Sequence, residues 1–150
     1  MSPSRLALGF ILGVIAVITF HQLTVVAVGL LGIAPVTPYN FTGKNGFGVP
    51  IILNQCFWGG LWGVLFVYLY DRMASLPAWL FGLLFGMIGP ALLGNFIVLP
   101  LLRGQPMFAG FVPARILLTL TINGMYGLGL GVLLPLVAKF LPPALGGSRA

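Results

Sequence analysis

The chain has 150 residues, of which 59% are hydrophobic and only 5% are charged. An average soluble domain carries about 25% charged residues, so this composition excludes an ordinary soluble fold. One acid, Asp71, stands against seven basic residues that lie singly between apolar runs. The net charge of +6 therefore indicates membrane anchors and topology signals rather than a surface for nucleic acid.

Four apolar runs, each long enough to cross a bilayer, predict transmembrane helices at residues 6–31, 50–70, 77–101 and 113–141. The first run is too long for the apolar core of a signal peptide, so we expect a retained helix. Pro90 lies within the third and predicts a kink there. The chain is thus expected to be one all-α membrane domain over residues 1–150.

Four crossings would place both termini on the same side of the membrane. Arg5, Arg72, Lys139 and Arg149 lie on that side, against Lys44, Arg103 and Arg115 on the other. This small excess of basic residues favours termini in the cytoplasm.

Pairs of glycines four residues apart recur in every predicted helix. A Gly-x-x-x-Gly pair forms a groove that lets another helix approach closely in lipid, where apolar contact alone does not drive association. We expect these pairs to form the packing seams of the bundle: Gly9 and Gly13, Gly59 and Gly63, Gly82 and Gly86, and Gly127 and Gly131.

The two halves of the chain resemble each other in sequence. Three segments match in the same order: residues 9–16 with 82–89, residues 46–50 with 110–113, and residues 60–63 with 124–127. These matches predict a duplication with units at about 1–72 and 73–150. Each unit crosses the membrane twice, so the two would be parallel repeats about an axis along the membrane normal.

Polar residues within the apolar runs all fall in the half of the membrane away from the termini. Gln55 and Asn123 share a helix face with their own glycine pairs, which predicts hydrogen bonds between helices. Gln22 and Asn95 occupy equivalent repeat positions and point away from those seams. They are expected either to bond to other helices or, with His21, to line a polar cavity open to the outside.

The scarcity of ionisable groups constrains the chemistry. One acid and one histidine cannot supply a carboxylate pair, a nucleophile triad or a carboxylate-bound metal site within one chain. We therefore expect no enzymatic activity, no cofactor and no metal.

Five segments carry a resemblance to a known group of proteins: residues 20–22, 38–39, 48–50, 57–63 and 123–127. The chain resembles a set of small uncharacterised four-helix inner-membrane proteins of Gram-negative bacteria. This resemblance implies a bacterial inner-membrane location and assigns no functional residue.

Two roles follow as expectations. The first is a structural or accessory membrane subunit, surrounded by the lipid bilayer and packed in a homo-oligomer or a larger membrane complex. The alternative is a small transporter or channel component with an outward-facing polar cavity.

Overall fold

A computed structural model describes residues 2–73 and 75–141. Within these residues, four helices are long and apolar enough to cross a membrane: α1 (Pro3–Leu30), α2 (Ile51–Met73), α3 (Ala78–Arg103) and α4 (Pro113–Ala138). The chain is therefore all-helical in its long elements, as the composition predicts. The tail beyond Leu141, including Arg149, lies outside the described residues.

Local sequence accounts for where these helices begin and end. Ser2 caps α1 by accepting a hydrogen bond from the Arg5 backbone N–H, and Pro3 fits the first turn because its missing N–H would have no helical partner there. Pro113 likewise occupies the first turn of α4, where its missing N–H has no helical partner to lose. Gly104 ends α3 with a left-handed backbone, which glycine adopts without steric cost.

The first two helices form a hairpin in which backbone lies against backbone. A methyl group placed on Gly13 would collide with the backbone oxygen of Gly59, and one placed on Gly63 would collide with the backbone oxygen of Gly9. Only glycine at these positions permits this separation of α1 and α2.

The last two helices form a second hairpin with corresponding contacts. A methyl group on Gly86 would collide with the backbone oxygen of Asn123, and one on Gly127 would collide with that of Gly82. Gly131 meets the first turn of α3 in the same manner. Asn123 of α4 thus corresponds to Gly59 of α2. An asparagine is compatible with this position because its backbone, not its side chain, faces Gly86 of α3.

Two helices contain wide π-helical turns, which the sequence did not predict. Residues Val17–His21 of α1 and Met87–Val98 of α3 adopt this form, in each case after the second glycine of the pair. In α3 the wide turns include Pro90, the residue at which the sequence predicts a kink. Pro90 has no N–H to donate and its ring would clash with the carbonyl of the preceding turn, which favours a wider turn there.

The two hairpins pack against each other mainly through α1 and α4. Their boundary also contains an aromatic cluster between α2 and α3, in which Phe66 lies 5.4 Å from Phe85 and 5.8 Å from Phe81, measured between ring centroids. This cluster lies near the turn that joins α2 to α3. We call that side of the bundle the terminal end, and the side with loops 31–50 and 104–112 the loop end.

An ion pair fixes the terminal end of the first hairpin. Arg5 is buried, with 4% of its surface exposed, and its guanidinium donates two hydrogen bonds to Asp71, at 2.8 and 3.1 Å. The only acid of the chain is therefore engaged far from the loop end.

Candidate functional site

A cavity of about 480 Å³ lies at the loop end, and all four helices contribute to its wall. Its polar lining residues are His21, Thr37, Asn54, Gln55, Asn95, Arg103, Thr119, Asn123 and Tyr126. Its apolar lining includes Trp58, Trp62, Pro90 and Ile122. The volume falls within the range of about 300–1,000 Å³ typical of small-molecule sites.

The cavity lies above the aromatic cluster of the terminal end. Trp62 lines it and also makes an edge-to-face contact with Phe85, at 6.1 Å between ring centroids. Tyr126 also lines the cavity, although it is almost completely buried, with only 2% of its surface exposed. Its hydroxyl is directed away into a hydrogen bond with the backbone of α2. These side chains form the part of the lining that contacts the aromatic cluster and the boundary between the hairpins.

Gln22 organises the wall formed by α1 and α2. Its Oε1 accepts a hydrogen bond of 2.6 Å from the Tyr39 backbone N–H, and its Nε2 lies 2.9 Å from Gln55 Oε1 and 3.2 Å from His21 Nδ1. The side chain is 2% exposed, so every polar atom of this amide is paired in the protein interior.

This network determines which groups remain free. A backbone N–H can only donate, so the Tyr39 contact fixes the orientation of the Gln22 amide. Gln22 Nε2 must then donate to both Gln55 Oε1 and His21 Nδ1. The Gln55 amide nitrogen and a proton on His21 Nε2 are left as donors on this wall.

The wall formed by α3 and α4 contributes two asparagine acceptors in addition to the Arg103 guanidinium. Asn95 Nδ2 donates to the Pro90 backbone oxygen at 2.8 Å, and Asn123 Nδ2 donates to the Thr119 backbone oxygen at 2.9 Å. Each asparagine is left with its Oδ1 as an acceptor.

The free polar atoms face accessible space. Among the described residues, every fully buried side-chain nitrogen or oxygen of a non-exposed residue has a hydrogen-bond partner. The unpaired atoms of His21, Gln55 and Asn123 therefore have exposed surface, and all three residues belong to the cavity lining.

Charge in the lining has a single sign. Arg103 is the one charged residue among the described residues around the cavity, and it lies exposed at the last turn of α3. Since Asp71 is the only acid in the sequence and pairs with Arg5, the lining contains no carboxylate.

The expected site residues separate into those that line the cavity and those that do not. His21 and Asn95, from different hairpins, both line it, whereas Gln22 does not. The position of Gln22 differs because the wide turn at Val17–His21 adds a residue and rotates the following helix by about 100° relative to an unbroken α-helix. Gln22 consequently turns towards Gln55.

The two residues expected to bond between helices also differ from each other. Gln55 bonds to α1 through Gln22. The expectation for Asn123 requires correction, because its side chain bonds to the Thr119 carbonyl within α4. An asparagine can return to a carbonyl one turn earlier, so a shared face with the glycines did not determine its partner.

Two contributors to the site were missed from the sequence. Tyr39 lies in a loop, adopts a left-handed backbone (φ 48°) and also donates its hydroxyl proton to the Ile18 carbonyl at 2.8 Å. Arg103 was interpreted only as a topology signal. No local sequence pattern predicted the role of Tyr39. For Arg103 a signal existed, because it lies at the end of the third predicted helix, on the same side of the membrane as the polar residues of the apolar runs.

No protein-family model, curated protein or solved structure matches this chain. The class of this protein therefore has to be defined from its own helices and cavity. Over the described residues these features show a helical protein with four helices compatible with an integral, multi-pass membrane protein, and with a cavity between its two hairpins that both polar and apolar side chains line.

Proposed function

We propose that this protein is a multi-pass protein of the bacterial inner membrane that binds a polar solute between two helix hairpins, as a small transporter or channel component. The observation that carries the proposal is the convergence of polar side chains from four helices on one cavity. Polar groups within a membrane segment are costly unless paired or hydrated, so an accessible cluster of them indicates a solute or ion pathway. The termini are proposed to lie in the cytoplasm.

The proposal includes an internal duplication, with the hairpins as parallel repeats packed through their glycine pairs. Its support is the correspondence of contacts: Gly13 meets Gly59 as Gly86 meets Asn123, and wide turns follow at equivalent places in α1 and α3. The cavity would then lie between the two repeats, as substrate sites do in many transporters.

The accessory-subunit role that the sequence favoured stays a prediction. Stable co-purification with a larger membrane complex would favour it over solute binding.

Water access to the cavity tests the proposal. In a Cys56→Ser background, a single cysteine at Asn95 is to be labelled in intact cells with a thiol reagent that cannot cross membranes. We expect rapid labelling from outside, because Asn95 lines a cavity that opens at the loop end.

A cysteine at Leu93 is the matched control. Leu93 lies two residues away on α3, is 46% exposed, and is absent from the cavity lining, so it should face lipid and react slowly. Equally slow labelling at both positions, in variants that express and purify as a single species, would contradict an outward-open cavity.

A further inference from the structure

Resting on the proposed solute-binding function, we infer that the solute is a small hydroxylated organic anion, such as a hydroxy acid or sugar acid. The charge, the hydrogen-bonding groups and the volume of the cavity together lead to this class.

Charge selects against cations. Arg103 contributes a positive charge to the lining, and Lys44 and Arg115 lie at the same end of the bundle, in the first loop and in the first turn of α4. The only acid lies at the opposite end, in its pair with Arg5. An anion entering here meets a positive potential in a partly dehydrated space, which raises its local concentration. A cation would lose hydration without gaining a countercharge.

The free donors and acceptors of the cavity fit a solute that carries both a hydrogen-bond acceptor, such as a carboxylate, and hydrogen-bond donors, such as hydroxyl groups. The wall of α1 and α2 offers the Gln55 amide and the His21 ring N–H as donors, which suit a carboxylate. The opposite wall offers, besides Arg103, the Oδ1 atoms of Asn95 and Asn123 as acceptors, which bind hydroxyl groups and not a carboxylate. A carboxylate joined to hydroxyl-bearing carbons satisfies both walls.

Volume and the remaining lining fit an extended small molecule. A cavity of about 480 Å³ accommodates a six-carbon chain with its hydroxyl groups and some water. Trp58 and Trp62 supply flat apolar surface for the carbon backbone.

Four solutes of similar length separate the contributions of charge and hydroxyl groups. Gluconate carries both, sorbitol carries hydroxyls without charge, N-methylglucamine carries hydroxyls with a positive charge, and hexanoate carries a negative charge without hydroxyls. Binding is measured at constant ionic strength on the full chain in nanodiscs, through the fluorescence of Trp58 and Trp62. A Trp79→Phe background removes the tryptophan that does not line the cavity.

We expect gluconate to bind at least about tenfold more tightly than sorbitol, the ratio given by one charge-assisted hydrogen bond in place of a neutral one. Hexanoate should also bind more weakly than gluconate, because it has no hydroxyl groups to donate to Asn95 Oδ1 and Asn123 Oδ1. N-methylglucamine should bind most weakly. Arg103→Gln should lower gluconate affinity to that of sorbitol, and Arg103→Lys should retain the preference. Arg115→Gln is the matched control. Arg115 lies exposed at the same end but outside the lining, so it adds only to the long-range potential, and its loss should lower gluconate affinity much less than Arg103→Gln does.

Equal or tighter binding of sorbitol, N-methylglucamine or hexanoate would overturn the anion inference. So would the absence of any fluorescence change in a protein whose Asn95→Cys variant labels rapidly, since the cavity would then be open without taking this solute class. Failure of that labelling contradicts instead the proposed function itself. The two failures are therefore distinguishable.

Discussion

The hydroxyl of Tyr126 donates a hydrogen bond of 2.5 Å to the backbone oxygen of Gly59, across the boundary between the two hairpins. Gly59 is also the residue whose carbonyl faces Gly13 within the first hairpin. One backbone group thus takes part both in packing a hairpin and in joining it to the other. The bond lies beside the cavity and holds α4 against α2.

Tyr126→Phe should destabilise the protein while leaving the packing volume nearly unchanged. The Gly59 carbonyl keeps its bond within α2 but loses the one from Tyr126, and the loss of one such hydrogen bond costs about 0.5–1.5 kcal/mol in free energy of unfolding. Unfolding in detergent micelles by a chemical denaturant measures the loss. Tyr68→Phe serves as the control, because Tyr68 is 42% exposed and should give a change within about 0.5 kcal/mol. Equal stabilities for the two variants would show that the bond between hairpins contributes nothing.

Gly13→Ala and Gly86→Ala should each separate a hairpin. In both cases the added methyl group meets backbone, which cannot rotate away, so we expect a loss of at least about 2 kcal/mol in each. Thermal unfolding of the purified variants gives the comparison.

Gly29→Ala is the control for these substitutions. Its methyl group would lie 3.5 Å from a side-chain atom of Val36, an ordinary contact, and alanine favours helix over glycine by about 1 kcal/mol. Gly29→Ala should therefore be neutral or stabilising. If Gly13→Ala and Gly86→Ala matched it, close backbone packing would not hold the hairpins together.

Asp71→Asn should weaken the terminal end of α1 and α2. Arg5 is almost completely buried and loses the charged partner of two hydrogen bonds, while Asp71 is only partly buried, so we expect a loss of about 1–2 kcal/mol. Arg72→Gln, at an exposed neighbouring position, should cost less. Denaturant titration of the two variants decides, and a larger cost for Arg72→Gln would be inconsistent with a structural ion pair at Arg5.

Gln22→Leu should release the first loop from α1. The Tyr39 backbone N–H loses its acceptor, so hydrogen–deuterium exchange at Tyr39 should accelerate about tenfold, as expected for the loss of one hydrogen bond. Gln105→Leu, in the exposed second loop, should leave this exchange unchanged. Unaltered protection of Tyr39 in Gln22→Leu would mean that other contacts hold the loop.

The sequence predicted the features that follow from the length of the apolar runs and from the position of a residue along its helix. Apolar run length gave the four helices, because the bilayer thickness imposes a minimum length on each crossing. Residue rise along a helix predicted similar depths for His21 and Asn95, and the two residues line the same cavity, while their depth in a membrane stays a prediction.

The orientation of individual side chains was harder to predict. Helical phase assumes an unbroken α-helix, and the wide turn in α1 invalidated it for Gln22. Tyr39 reaches α1 through a left-handed loop conformation that its residue type does not favour, so only tertiary contacts could reveal it. The side chain of Asn123 had two feasible partners at similar cost, and sequence periodicity could not distinguish them.

The glycine contacts have a consequence for which sequences the fold can accept. Because main chain meets main chain at Gly13 and Gly59, and again at Gly86 and Asn123, the separation of paired helices does not depend on any side chain at the contact. The outward surfaces can then differ widely in size and shape without moving the cavity walls. A saturation mutagenesis experiment should therefore find strict intolerance at a few small residues and broad tolerance on the surfaces exposed to lipid.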